Sequence, residues 1–140
     1  MIDTRTAPYA AFLLRVALGL MFFSHGFIMK VMGFGIAGTV GFFGSLGLPA
    51  IIAYLTILFE VGGGLFLILG IATRPLAAIG ALILAGAWIT VHASKGWMVG
   101  GGGWEYVGFL TVTSIAVALL GSGAFALGNK FLPGNKFIAG

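Results

Sequence analysis

One stretch constrains this chain more than any other: Tyr54 to Gly70, YLTILFEVGGGLFLILG, an apolar run long enough for a membrane helix with a single carboxylate, Glu60, at its middle. Every other residue in it is apolar, small or, at Tyr54 and Thr56, uncharged. A charge at mid-depth in a bilayer costs about 2.5 kcal/mol or more on insertion scales, so an acid there is paired, protonated or used. The rest of the sequence is therefore read for what meets Glu60.

The composition, 60% hydrophobic and 7% charged over 140 residues, is that of an integral membrane protein and not of a soluble domain. A hydrocarbon core of roughly 30 Å takes about 20 helical residues. Four runs approach that length: Pro8 to Met29, Pro49 to Ile71, Pro75 to His92 and Trp104 to Leu120. They predict an all-α membrane protein with one transmembrane domain, a bundle of four transmembrane helices at about 8–29, 49–71, 75–92 and 104–120. A glycine-rich outer connection joins the first two. The first run is longer than the apolar core of a signal peptide and no A-x-A-like site follows it, so it is expected to be retained.

With no cysteine, dithiol chemistry and thiolate metal sites are excluded. The net charge of +4 is scattered, with no basic run, and argues against a nucleic-acid partner. Four spans put Arg5, Arg15, Arg74, Lys130 and Lys136 on one side and leave Lys30 and Lys95 on the other. The positive-inside rule then predicts cytoplasmic termini. Trp88, Trp97 and Trp104 all fall near the third connection, where indoles favour the outer interface.

On the first helix, Arg15, Gly19, Phe22 and Gly26 recur at three- and four-residue spacing and share a stripe. Such glycines admit close approach of another backbone. Residues 31 to 48 carry six glycines but also Phe34, Phe42 and Phe43. This connection is expected to fold back on the outer surface as a short interfacial helix able to act as a lid. Thr56, Gly63, Gly64 and Leu67 share Glu60's side of the second helix. The turn at Ala72 to Pro75 makes the second and third helices an antiparallel hairpin. Ala77, Ala81 and Ala85 continue on one stripe to Trp88 and His92. Gly100 to Gly103 read as a surface hinge, since no P-loop lysine follows and no strand precedes.

Depth selects the candidate partner. Counting ~1.5 Å per residue from Pro8 puts Arg15 roughly 10 Å inside the cytoplasmic boundary; counting from Pro49 puts Glu60 about 14 Å from the same boundary. Arg15 is the expected partner of Glu60. His25, His92 and Glu105, with Lys30, form a second layer beneath the outer surface. Each has a plain structural alternative: Arg15 with Glu60 as a register-fixing pair, Glu105 as a complement to its helix dipole, the histidines as uncoordinated interfacial imidazoles. No metal or haem site is expected, because no two ligands stand three or four residues apart on one helix.

The run Arg15 to Lys30, RVALGLMFFSHGFIMK with its H-G-x-x-x-K ending, then Gly47-Leu48-Pro49, then EVGGGLFLILG from Glu60 with Thr73-Arg74 after it, and finally Gly102-Gly103-Trp104-Glu105-Tyr106, resembles the DoxX family of small four-helix membrane proteins. The likeness covers about Ala10 to Gly123. It implies kinship with subunits of thiosulfate:quinone oxidoreductase and terminal-oxidase complexes, hence a quinone-linked setting in a bacterial cytoplasmic (inner) membrane. The expected function is a membrane subunit of a redox system that binds a quinone or similar amphipathic molecule in an outward-opening cavity. Arg15 and Glu60 would form its floor, and His25, His92 and Glu105 would stand near its mouth. The chain itself is not identified as an enzyme or a passive subunit. Lipid, a second copy of the chain or partner redox subunits are the expected partners. An assembly or scaffold protein and a small-molecule transporter stand as alternatives.

Overall fold

The computed structural model describes residues 3–131, and among these the chain forms six helices, a separate 3-10 turn at Val99–Gly101 and no strand. Helix α1 is Ala7–Gly33, α2 Gly35–Ser45, α3 Ala50–Leu69, α4 Thr73–Lys95, α5 Glu105–Leu120 and α6 Gly128–Phe131. Of these, α1, α3 and α4, with 27, 20 and 23 residues, are long and apolar enough to cross a membrane. Helix α5 is equally apolar but has 16 residues. Lys136 lies outside the described residues.

Local chemistry accounts for the helix ends. Pro8 sits in the first turn of α1, where its missing N–H has no partner to lose. Pro75 occupies the first turn of α4 in the same way, so that helix begins at Thr73 and not at the proline. Gly70 ends α3 in the left-handed region, φ 71°, and turns the chain into α4. Helix α1 runs four residues past Met29, because the connection continues its coil to Gly33 before Gly35, φ 72°, breaks it.

Three helices do not stay α-helical. Ser24–Gly33 in α1, Phe59–Gly63 in α3 and Trp88–His92 in α4 adopt the wider π-helical pattern, in which each N–H reaches five residues back. All three lie toward the end of the molecule that carries α2, here called the upper end.

Close backbone approach sets the register of α1 against α3. A Cβ added to Gly64 would stand 2.7 Å from Phe23 N, and one added to Gly19 would stand 2.8 Å from Gly64 O. Further up, a Cβ on Gly26 would meet Glu60 Cβ at 2.7 Å. These glycines allow dense antiparallel packing where any larger residue would force the helices apart. Helices α4 and α5 form a second close pair, and Leu18, Phe22, Leu67, Leu84, Leu110 and Val117 fill the core between the pairs. Helix α4 meets α3 chiefly along the lower part, Gly64–Leu69, so the two pairs part toward the upper end.

The lower end is tied by hydrogen bonds. Ala124 N donates to Pro8 O, Leu127 N to Leu69 O and Gly128 N to Gly70 O. Arg74 donates to the carbonyls of Ala118, Leu119 and Leu120, the last turn of α5. Carbonyls in a last helical turn lack intrahelical partners, so a cation there satisfies them and complements the dipole.

Candidate functional site

Glu60 sits in the π-helical turn of α3, and its partner is Lys30. Lys30 Nζ donates to Oε1 at 2.9 Å and to Oε2 at 2.6 Å. The side chains are 18% and 9% exposed, so water screens the pair little. Lys30 lies one turn above Gly26, the residue packed on Glu60, and its stem reaches down to the carboxylate. Its carbonyl accepts a 3.0 Å bond from Thr39 Oγ1, which joins α2 to the same arrangement.

Arg15 does not meet Glu60, and the sequence expectation is corrected here. Its guanidinium is fully buried and donates to four carbonyl oxygens: Leu67 O at 2.6 Å, Ile68 O at 2.7 Å, Ser122 O at 2.7 Å and Ala124 O at 3.2 Å. A planar fork with five donors suits converging carbonyls as well as a carboxylate. The depth estimate failed because it fixed Pro8 and Pro49 at opposite boundaries. The glycine register instead sets Arg15 beside Gly70, where a Cβ would stand 2.9 Å from Arg15 Cζ. Arg15 is eleven residues below Gly26, roughly 16 Å along the axis.

Above the ion pair, a cavity of about 760 Å³ opens between the two helix pairs. Its walls are mostly apolar, and its size falls in the range of roughly 300 to 1,000 Å³ usual for small-molecule pockets. His25, Lys30, Glu60 and His92 line it; Arg15 and Glu105 do not. Phe34, Thr39, Phe42 and Phe43 of α2 and its approach form part of the wall. So do Ile52, Ile79 and Leu82 on the spans, and Leu82 is 74% exposed on the outer surface of α4.

The histidines have defined roles. His25 Nδ1 lies 3.0 Å from Met21 O and His92 Nδ1 lies 2.6 Å from Gly102 O. A carbonyl oxygen only accepts, so Nδ1 carries the hydrogen in each ring and Nε2 of the neutral form is an acceptor. Glu105 serves the connection instead: its Oε1 accepts from Val99 N at 2.9 Å. Trp104 stacks on Trp88 at 4.8 Å and meets Trp97 edge-on at 4.4 Å, which fixes the same connection against α4.

Lys30 belonged to the outer layer in the sequence but was not matched to Glu60; the H-G-x-x-x-K spacing, with glycine one turn before the lysine, is the signal that could have found it. Thr39, Thr56 and Tyr106 also line the cavity. Thr56 is visible one turn before Glu60, whereas nothing in the glycine-rich stretch marks Thr39. Among the described residues, no group of three His, Cys, Asp or Glu side chains gathers that could hold a metal ion.

The model of the family described as DoxX matches residues 10–93. That span contains Arg15, His25, Lys30, Glu60 and His92 and ends before Glu105. The chain is 42% identical over 124 residues to a Bacillus subtilis (strain 168) protein named "Putative oxidoreductase CatD", covering 89% of this chain and 88% of that protein. It is 31% identical to "Inner membrane protein YphA" of Escherichia coli (strain K12), covering 88% of this chain and 91% of that protein. An uncharacterized Haemophilus influenzae protein is 34% identical, covering 89% and 92%. No solved structure gives a significant match.

Proposed function

The chain belongs to the DoxX family and is a membrane protein, and from that premise we propose that it is a membrane subunit of a redox system that binds a quinone or similar amphipathic molecule in the cavity beside Glu60. One observation carries this reading: a largely apolar cavity of about 760 Å³ whose polar wall is the Lys30–Glu60 ion pair with His25 and His92. Ionisable groups at membrane depth are costly and mark pathways and ligand sites. An apolar chamber with a few converging polar groups suits a flat ring with an aliphatic tail.

Such a ligand would enter from the side, between α3 and α4. The lining residues Ile52, Ile79 and Leu82 reach the surface there, while α2 roofs the chamber. A lipid-dissolved molecule would use that route. Helix α5 serves as a fourth span, about 24 Å long at the α-helical rise and packed along α4. Arg5, Arg74 and Lys130 fall toward the lower end and support cytoplasmic termini. The name of the Escherichia coli relative supports placement in the cytoplasmic membrane of a bacterium, and the word oxidoreductase in that of the Bacillus subtilis relative supports the redox setting. Without cysteine, electrons would pass through the bound ligand and a partner subunit.

The test is binding of a short-chain quinone by the purified protein in nanodiscs, followed by calorimetry or tryptophan quenching. Glu60→Gln is expected to weaken binding at least about tenfold, roughly 1.4 kcal/mol, in protein that is still folded at the assay temperature although its melting temperature is lowered by the loss of the Lys30 ion pair. Equal affinity in the two proteins would sink the reading.

A further inference from the structure

We propose that the cavity selects the hydroxyl-bearing, reduced form of its ligand, a quinol or other diphenol, over the carbonyl-bearing quinone; this rests on the quinone-binding reading above and names the form that is held. The two forms share a ring and a tail but differ in hydrogen-bond capacity. A quinone's oxygens only accept. A quinol's hydroxyls donate as well. The form that binds tighter is therefore set by whether the walls present acceptors or donors in fixed roles.

The fixed roles here are acceptors. The Nδ1–H of His25 is taken up by Met21 O at 3.0 Å and that of His92 by Gly102 O at 2.6 Å, which leaves Nε2 of each neutral ring as a bare acceptor. Neither Nε2 has a hydrogen bond among the described residues. The Glu60 carboxylate only accepts, and Lys30 occupies one position on each of its oxygens, so lone pairs remain on both. The hydroxyls of Thr39 and Thr90 donate to Lys30 O at 3.0 Å and Gly86 O at 2.8 Å, which leaves their oxygens as acceptors too.

Donors are fewer and mostly committed. Among the described residues Lys30 is the one lysine or arginine lining the chamber, and two of its three N–H groups face Glu60. Thr56 and Tyr106 carry hydroxyls that rotate to serve either form. A quinone brought against these walls displaces water and then sets carbonyl oxygen against imidazole nitrogen and carboxylate. A quinol meets the same atoms with O–H groups. Sites built to pair a substrate hydroxyl discriminate strongly against analogues lacking it, because the wall groups are otherwise left unpaired.

The experiment uses the full chain in nanodiscs, titrated anaerobically at neutral pH with a decyl-benzoquinone, its quinol and the dimethyl ether of that quinol. The quinol is expected to bind at least about tenfold tighter than the quinone, and the ether, which has lost both donors, no tighter than the quinone. In the double variant His25→Phe/His92→Phe the quinol-to-quinone ratio is expected to fall toward one. Equal or tighter binding of the quinone, or an ether that matches the quinol, overturns the inference without any variant, so a misfolded double mutant does not decide the matter. A ratio that survives in a double variant melting like the parent also overturns it. Binding of both forms alike refutes this inference alone; binding of neither refutes the quinone reading and this inference together.

Discussion

The pairing of Glu60 is open to a direct energetic test, because Lys30 and Arg15 predict different couplings. The perturbations are Lys30→Met, Arg15→Met and Glu60→Gln, singly and in the two pairs that include Glu60. Lys30 makes two charge-assisted bonds to Glu60, at 2.9 and 2.6 Å. Each such bond contributes about 1.5–3 kcal/mol, but the two share one ammonium and one carboxylate and add to less than twice that. Slight solvent access at Lys30 lowers the figure further. The expected coupling is about 2–3 kcal/mol. Arg15 lies roughly 16 Å from Glu60 along the helix, and an effective dielectric constant of about 20 leaves about 1 kcal/mol even without salt. Screening at ordinary ionic strength reduces it further. Unfolding free energies of all variants, measured by detergent titration in mixed micelles, give both couplings by difference. An Arg15/Glu60 coupling as large as that of Lys30/Glu60 would refute the register described here.

Arg15→Met is expected to cost about 3–5 kcal/mol of stability, because it strips donors from buried carbonyls in the last turn of α3 and in the segment after α5. Arg15→Lys should recover part of that loss, and a melting temperature unchanged in the Met variant would contradict the clamp. Gly64→Ala is expected to cost about 1–3 kcal/mol, since its Cβ would stand 2.7 Å from Phe23 N and neither backbone can yield. Gly62→Ala, with no atom within 4 Å, is expected to be neutral or to stabilise by up to about 1 kcal/mol. Thermal melts in one detergent compare the two; equal effects would mean that α1 and α3 are not in close contact at Gly64.

The helical segments were legible because apolar length and turn residues are local signals. Pro8, Gly70 and the Ala72-to-Pro75 turn all act where the sequence put them, and ends shift by a few residues where a proline belongs to a first turn or a coil continues. The partner of Glu60 was not legible from depth, because depth requires knowing where each helix meets the membrane. The packing register did not require it. The glycines at 19, 26 and 64 stand on faces already recognised as narrow, and matching them across an antiparallel pair would have set Gly26 against Glu60 and Arg15 near Gly70. The same reasoning separates Glu105 from the site: a carboxylate in the first turn of a helix has nearby N–H groups to accept from, and here it takes Val99 N.

The sequence named His25, Glu60 and His92, with Lys30 beside them, but how they face one another was beyond it for a further reason. Face assignments along a helix assume about 100° per residue, and that assumption fails inside a π-helical stretch. His25 and Lys30 lie in Ser24–Gly33, Glu60 lies in Phe59–Gly63 and His92 lies in Trp88–His92, so these four ionisable wall residues sit in segments where the α-helical angle does not hold. No residue type marks such a segment. The wider turn is rare and recurs at functional sites. Three spans depart from α-helical winding and each contributes ionisable residues to one chamber; the close contacts of α1 with α3 at Gly19 and Gly64 lie below the departures, and that of Gly26 with Glu60 lies inside them. The departures coincide with the chamber. Restoring regular winding in α3 by deleting one residue of Phe59–Gly63 is expected to turn Glu60 relative to Lys30 and abolish quinone binding in nanodiscs while leaving the Arg15 clamp's own residues unchanged; binding that survives the deletion would separate the unusual backbone from the site.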